Sequence, residues 1–183
     1  MIEKITFYSK ILGVETYFLI VLPDAYKPPL LGVILLRGAP EEWLNASEDH
    51  TRAGRNIISV LDDLISKGYC QPLAFILPRT SNNTLSGFIS HGEAIRPDFL
   101  EENSFIGNGK IDRFFDDELL PTCLKTGLIR EQKLAIDGFS LGGASSVYHA
   151  IRRPDLFSSC GSFDGAFLKY EFVYLVKYST KFT

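Results

Sequence analysis

A short stretch of the chain, residues 133–147, joins an apolar run, a glycine-flanked serine and a helical pattern without any linker. The apolar run, residues 134–136, is typical of a strand that is covered on both faces. From Leu141 onward apolar side chains recur at helical spacing, and Pro154 stops the pattern after two arginines, whose charges suit a helix C-terminus. The stretch predicts a buried strand, a tight turn and a helix in direct succession, which favours a fold in which strands and helices alternate.

The turn itself, residues 138–142, reads Gly-Phe-Ser-Leu-Gly and fits the pattern G-x-S-x-G. In this pattern the serine sits at a strained strand-to-helix turn, and the small flanking residues let backbones pass closely. In a chain with 15 glycines the pattern alone would also fit a plain Gly/Ser turn, but it lies here between a predicted strand and a predicted helix. A phosphate-binding loop would need Gly-Lys followed by Ser or Thr, whereas residues 142–144 read Gly-Gly-Ala. We interpret the turn as a nucleophile elbow with Ser140 as the nucleophile.

The composition indicates one globular domain over residues 1–183. Of the 183 residues, 45% are hydrophobic and 22% charged, which is enough for one full-sized core. The net charge of -3 shows no excess of basic residues, so nucleic acid and anionic membranes are poor candidate partners. The N-terminus has no apolar core of signal-peptide length, and the longest apolar run, residues 30–36, is too short to span a membrane. We expect a cytoplasmic protein.

Strand and helix patterns alternate along the rest of the chain. Strands are predicted at 3–9, 14–22, 31–36, 73–77, 134–136 and 156–163, and helices at 55–67, at 111–125 with an interruption near Pro121, and from Leu141 onward. The first two strands, joined at Gly13, predict an antiparallel pair, and the others predict a largely parallel sheet. The predicted fold class is α/β.

The carboxyl ends of the predicted parallel strands gather the candidate functional residues, because ligands of such sheets bind at that edge. Arg37, Ser140 and Asp164 each follow a predicted strand there. So does the segment 78–110, which is rich in Ser, Asn, Gly and Pro and much longer than a usual connection. We expect this segment to form part of the wall or lid over Ser140.

Four stretches, taken in order, resemble the putative esterase family of α/β-hydrolases, which includes esterase D, enterochelin esterase-like proteins and the antigen 85 mycolyltransferases. The stretches are 21–26, 34–38 with Trp43 downstream, 61–68, and 138–143 followed by 153–157 and 161–163. The resemblance implies an α/β-hydrolase fold, a mostly parallel central sheet with helices on both faces. It also implies a serine-dependent carboxylic ester hydrolase that acts on a small-molecule ester and needs no cofactor or metal.

The same resemblance implies the parts of the site. Ser140 would form the acyl-enzyme, and the oxyanion would be held by the backbone N–H groups of Leu141 and Ala39. Such preorganised donors are worth roughly 3 to 4 kcal/mol each in acyl transfer. The family usually has His before the oxyanion glycine, and this chain has Arg37. This difference alters the pocket without removing a backbone donor.

The end of the chain departs from the family. Members continue for two more strands, one followed by an Asp or Glu and the last by the catalytic histidine, but the residues after Ala166 form an aromatic-rich stretch that does not match. We therefore expect a fold that is incomplete at the C-terminus and lacks the last strands. Its exposed sheet edge, with Phe172–Tyr178, predicts aggregation or a homo-oligomer. We expect weak or no serine esterase activity from these 183 residues, while the acyltransferase activity of relatives and a binding or regulatory role remain open.

The chain has 3 histidines that could serve as the general base which a serine nucleophile needs. His149 lies nine residues after Ser140 on the elbow helix and is expected at the protein surface. His50 fits a surface or capping role better than a catalytic one. His91, within the segment 78–110, is the only serious candidate. Asp164 could be its acid partner but fits a turn before Gly165 better.

Trp43 and the cysteines carry no firm assignment to the site. Trp43 fits the lining of an acyl pocket and packing beneath a loop equally well. Cys70, Cys123 and Cys160 are scattered and odd in number, which predicts plain thiols rather than a disulfide framework or a metal site.

Overall fold

A computed structural model describes residues 1–24, 26–37, 40–47, 53–79, 113–132, 134–165 and 167. The strands in this part of the chain are β1 (Ile2–Ser9), β2 (Val14–Val21), β3 (Leu31–Leu36), β4 (Leu73–Pro78), β5 (Leu134–Gly138) and β6 (Phe157–Cys160). The helices are a 3₁₀ helix (Pro40–Trp43), α1 (Ile57–Ser66), a π-helix (Phe114–Leu119), α2 (Leu120–Lys125) and α3 (Leu141–Arg152). Each predicted strand and helix has a counterpart here, with its ends shifted by a few residues.

These strands form one sheet in the order β1-β2-β4-β3-β5-β6. β2 pairs antiparallel with β1 and with β4, whereas β3 pairs parallel with β4 and β5, and β5 pairs parallel with β6. The carboxyl ends of β3, β4, β5 and β6 therefore lie at one edge of the sheet. This arrangement confirms the predicted α/β fold with a largely parallel sheet and an antiparallel opening.

Two apolar layers lie on the two faces of the sheet, because alternate residues of each strand point to opposite faces. In β2, Phe18 and Ile20 belong to one layer, and Leu19 and Val21 belong to the other. The first layer includes side chains of the π-helix and α2, and the second packs against Trp43 and the first turn of α1. Helices therefore cover both faces, as the fold class predicts.

The helix predicted at 111–125 changes its type within the described residues. The π-helix gives way to α2 at Leu120, whose backbone N–H donates to the carbonyl oxygen of Phe115. Pro121 lies in the first turn of α2 and has no backbone N–H to donate to the preceding turn. The interruption predicted near Pro121 is thus a change from π to α geometry directly before the proline.

Two predicted features lie almost wholly outside the described residues. The segment 78–110, the expected wall or lid over Ser140, is described only at Pro78 and Arg79. The aromatic-rich stretch after Ala166 is described only at Phe167. Among the helices of the described part, none is long and apolar enough to cross a membrane.

Candidate active site

Ser140 occupies the turn between β5 and α3, at the carboxyl end of the parallel strands. Its backbone has φ 56° and ψ -120°, a combination that residues with a side chain rarely adopt. Ser140 is partly exposed to solvent. The chain thus turns from strand to helix at one residue, which is the geometry of a G-x-S-x-G turn. The catalytic role of Ser140 stays a prediction.

Two backbone hydrogen bonds tie this turn to the strands on either side of β5. The N–H of Phe139 donates to the carbonyl oxygen of Leu36 at the end of β3, at 3.1 Å. The N–H of Ser140 donates to the carbonyl oxygen of Phe163, beyond β6, at 3.0 Å. Support from both neighbours holds the residue in a backbone conformation that is unfavourable by itself.

The glycines on either side of Ser140 are required by close contacts between backbones. A Cβ atom on Gly138 would overlap the carbonyl group of Gly142. A Cβ atom on Gly142 would overlap the carbonyl group of Leu36. Helix α3 can therefore begin this close to the ends of β3 and β5 only with glycine at both positions.

Only one of the two predicted oxyanion donors lies within the described residues. Leu141 is the first residue of α3, so its backbone N–H belongs to the first helical turn, whose N–H groups have no acceptor within the helix. This end of α3 also carries the positive pole of the helix dipole, which favours a negative charge nearby. Ala39, together with Gly38, lies outside the described residues. Both roles stay predictions.

Arg37 lies directly after β3, near two aromatic side chains at the carboxyl edge of the sheet. Its guanidinium carbon is 4.7 Å from the ring centre of Phe139 and 5.8 Å from that of Trp43. Its Nε donates to the carboxylate of Glu42 at 2.7 Å. Trp43 itself packs against the apolar layer that contains Leu19. Of the two alternatives for Trp43, the structure supports packing beneath the loop that follows β3.

Glu41, the other acidic residue of the 3₁₀ helix, contacts strand β2. The hydroxyl of Tyr17, on β2, donates to Oε1 of Glu41 at 2.7 Å. Burial and the neighbouring Glu41 raise the pKa of Tyr17, so the phenol keeps the proton that it donates. The sequence patterns assigned no role to Glu41 or Glu42. The signal that could have found them is the presence of acidic residues close to Arg37 within one short loop.

His149 contradicts the prediction of a surface residue, because it is only 1% exposed. Its ring stacks on Phe115 of the π-helix, with 4.2 Å between centroids, and meets Tyr148 edge-on at 5.3 Å. Burial, followed by the charge of Arg152, lowers the pKa of His149 from 6.5 to about 3, although Asp116 opposes the shift. His149 is therefore neutral near pH 7 and belongs to the core.

The polar face of α3 is largely buried, and its two arginines pair with the π-helix. Asp116 of the π-helix accepts from Arg152 at 2.8 and 3.0 Å and pairs with Arg153 at 2.9 Å. Ser145 and Ser146 on α3 are also buried, at 2% and 0% exposure. The prediction of a solvent-exposed face was wrong because it treated Ser, His and Arg as surface residues. Asp116, on the π-helix, pairs with both arginines of this face.

The remaining candidates have mixed outcomes. His50 and His91 lie outside the described residues, so the identity of the general base stays a prediction. Asp164 has a left-handed φ of 49°, which fits the predicted turn before Gly165. Within the described residues no group of His, Cys, Asp and Glu could hold a metal ion.

The cysteines behave as predicted. Cys70, Cys123 and Cys160 are free thiols. Burial raises the pKa of Cys123, so this thiol is not poised to form the thiolate that a cysteine nucleophile requires.

The mixed sheet, the helices on both faces and the strand-turn-helix at Ser140 define an α/β-hydrolase-like protein. The model of the family described as "Esterase: Putative esterase" matches residues 9–168. The chain therefore belongs to this esterase family, as the sequence predicts. No curated protein matches the chain at a significant level.

Solved structures of esterases share the fold. A ferulic acid esterase has a TM-score of 0.69 and 20% identity, over 97% of this chain and 70% of its own. The enterochelin esterase of Shigella flexneri has a TM-score of 0.60 and 19% identity, over 90% of this chain and 36% of its own. An IroE-like serine hydrolase from Shewanella oneidensis has a TM-score of 0.66 and 16% identity, over 99% of this chain and 57% of its own. The chain thus spans from about a third to about two thirds of the length of these proteins.

Proposed function

We propose that the protein is a serine-dependent carboxylic ester hydrolase that acts through an acyl-enzyme on Ser140. The observation that carries this proposal is the strained backbone of Ser140, φ 56° and ψ -120°, between the end of a parallel strand and the start of a helix. Strain of this kind is retained where the surrounding structure enforces it, and it concentrates at active sites. Membership of an esterase family supports the same reaction.

The reaction has two steps. The Ser140 oxygen attacks the ester carbonyl carbon while its proton passes to a general base, and the tetrahedral oxyanion accepts hydrogen bonds from the N–H groups of Leu141 and Ala39. The carbon–oxygen bond to the alcohol then breaks, and the alcohol leaves with the proton. Water attacks the acyl-enzyme in the second step, which releases the carboxylic acid and restores Ser140. An acceptor alcohol in place of water would make the protein an acyltransferase.

The identity of the general base stays open, and the resemblance to the family places the catalytic histidine after strands that these 183 residues do not match. His149 is excluded by its burial and by its pKa of about 3. His91 is the stronger remaining candidate within the chain, and His50 is the weaker one. The weak activity that the sequence predicts for these 183 residues, and the binding or regulatory role that would accompany it, stay predictions, as does the cytoplasmic location.

The proposal is tested by labelling the chain with a fluorophosphonate and by measuring hydrolysis of a short-chain aryl ester and of methyl ferulate. We expect label on Ser140 by intact mass and peptide mapping, no label in Ser140→Ala, and full label in Ser66→Ala, a matched serine on α1. The expected turnover lies well below the ordinary enzyme value of about 10 s⁻¹.

Two outcomes would change this account. An unlabelled but folded chain contradicts an activated Ser140 in these 183 residues. Turnover near 10 s⁻¹ that is lost in Ser140→Ala would contradict the weak activity and show that the chain supplies its own general base. Loss of that turnover in His91→Gln, with retention in His50→Gln, would then identify His91 as this base.

A further inference from the structure

Four side chains beside the Ser140 turn form what we call the Arg37 cluster: Arg37, Glu42, Trp43 and Phe139. Arg37 lies at its centre, because its Nε binds Glu42 at 2.7 Å and its guanidinium lies near the rings of Phe139 and Trp43. Its side chain is only 16% exposed, against 37% for Glu42. An ion pair that is this far from bulk solvent is screened less than a surface pair.

The chemistry of arginine suits this position better than that of lysine. A guanidinium is planar, so it can donate along its edge to a carboxylate while its face lies over an aromatic ring. Arg37 donates from Nε to Glu42, and its guanidinium carbon lies over the ring of Phe139. A lysine ammonium could keep the charge but could not hold both neighbours in one fixed geometry.

The cluster joins the two segments that the proposed reaction needs. Phe139 directly precedes Ser140, and its N–H is bound to the end of β3. Arg37 and the 3₁₀ helix flank Ala39 in the sequence. On the far side, Tyr17 anchors the same 3₁₀ helix through Glu41 at 2.7 Å.

We propose that Arg37 is a positioning residue that holds the 3₁₀ helix after β3 against the turn that carries Ser140. This inference rests on the proposed function. Misplacement of a catalytic group by about 1 Å can lower a rate by about 100-fold, so a side chain that fixes the 3₁₀ helix relative to the Ser140 turn has a large effect without touching the substrate.

Recognition of an anionic substrate is the alternative role for a cation at this edge. The charge of Arg37 is already balanced by Glu42, and its guanidinium lies near two aromatic rings. These contacts favour positioning over substrate binding. The two roles differ in their kinetics, because substrate binding would appear in KM and positioning in kcat.

The experiment compares Arg37→Met, Arg37→Lys and Glu42→Gln with Arg130→Met. Arg130 is the matched control, because its Nε binds the carbonyl oxygen of Pro29 at 3.1 Å, before β3 and away from Ser140. Trp43 is the chain's single tryptophan, so its emission and its quenching by acrylamide report on the cluster directly. The other readouts are kcat and KM for the aryl ester, the rate of fluorophosphonate labelling, and the thermal midpoint.

We expect Arg37→Met to increase the quenching of Trp43 and to lower kcat and the labelling rate by up to about 100-fold, with KM unchanged. Arg37→Lys should not restore the rate, Glu42→Gln should share the defect, and Arg130→Met should match the parent. If Arg37→Met fails to fold, Arg37→Lys and Glu42→Gln supply the same readouts.

Unchanged quenching and unchanged rates in the Arg37 and Glu42 variants would overturn the inference, as would a higher KM with kcat unchanged. The proposed function fails separately, if the parent chain itself is not labelled at Ser140. In that case the quenching of Trp43 still decides whether Arg37 fixes this segment.

Discussion

At the scale of single residues, the neutral imidazole of His149 makes the folded chain sensitive to acid. Burial lowers its pKa from 6.5 to about 3, so between these values the unfolded chain binds a proton that the folded chain does not. The free energy of unfolding must then fall as the pH falls through this range. Asp116, on the facing π-helix, adds a separate effect: burial would raise its pKa, but Arg152 and Arg153 lower it on balance. The stabilisation from Asp116 is therefore lost only at lower pH.

We predict that the free energy of unfolding falls by about 2 kcal/mol between about pH 7 and about pH 5 because of His149. Urea titrations across this range measure the change. His149→Gln, which cannot take up the proton, should remove most of this dependence while the effect of Asp116 below about pH 4 remains. Equal slopes in parent and variant would show that another group controls stability in this range.

Residue patterns predicted the Ser140 turn correctly but not His149, and the physical reason differs between the two. The constraints on the turn are local in the sequence, since Gly138 and Gly142 lie two residues from Ser140 on either side. The burial of His149 depends on a contact with Phe115, which lies on a different helix. A single helix's pattern carries no information about which partner covers it.

At the scale of elements, the start of helix α1 is fixed by the residue that precedes it, Asn56. The side chain of Asn56 accepts from the backbone N–H groups of Ile58 and Ser59, each at 3.1 Å, and the hydroxyl of Ser59 accepts from the N–H of Asn56. The Nδ2 atom of Asn56 also donates to the carbonyl oxygen of Leu44 at 3.1 Å. Asn56 thus starts α1 and links it to the residue after the 3₁₀ helix.

We predict that Asn56→Ala lowers the free energy of unfolding by about 1 kcal/mol, as loss of an N-cap typically does. Asn56→Asp keeps the acceptor for α1 but cannot donate to Leu44, so it separates the two contributions. Lys67→Ala is the control, because its ion pair with Asp63 is exposed and such pairs contribute about 0 to 1 kcal/mol. Urea unfolding gives all three values. An Asn56→Ala variant as stable as the parent would contradict the capping role.

The end of α1 was predictable from Gly68, whose φ of 71° suits the left-handed residue after a helix. Apolar residues recur at helical spacing in α1 but are covered unequally: Leu61 is 3% exposed, whereas Leu64 is 37% exposed. Helical spacing identifies the face that turns inward, but how much of that face is covered depends on the length of helix that lies against the sheet.

At the scale of the whole molecule, the described sheet ends in β1 on one side and β6 on the other. In β6, Ser158, Ser159 and Cys160 are exposed. Beyond it, Phe163 is 70% exposed and Phe167 is 41% exposed. Exposed strand edges next to apolar side chains favour pairing with another chain.

We predict that the 183-residue chain self-associates through this edge in a concentration-dependent way. Light scattering coupled to gel filtration measures the mass over a range of concentrations. Ser159→Lys should shift the chain toward the monomer, since lysine on an edge strand opposes pairing, whereas Ser66→Lys on α1 should have no effect. A parent chain that stays monomeric throughout would show that this edge does not pair.

The two hydrogen bonds that fix the Ser140 turn come from the ends of β3 and from beyond β6, segments far apart in the sequence. A contact between distant segments forms late in folding, because the closure of long loops must come first. A newly made or half-unfolded chain therefore carries an ordinary serine at position 140, with nothing to hold its backbone at φ 56°. The reactivity that we propose for Ser140 therefore depends on the assembled sheet, and we expect it to appear and disappear together with the native state.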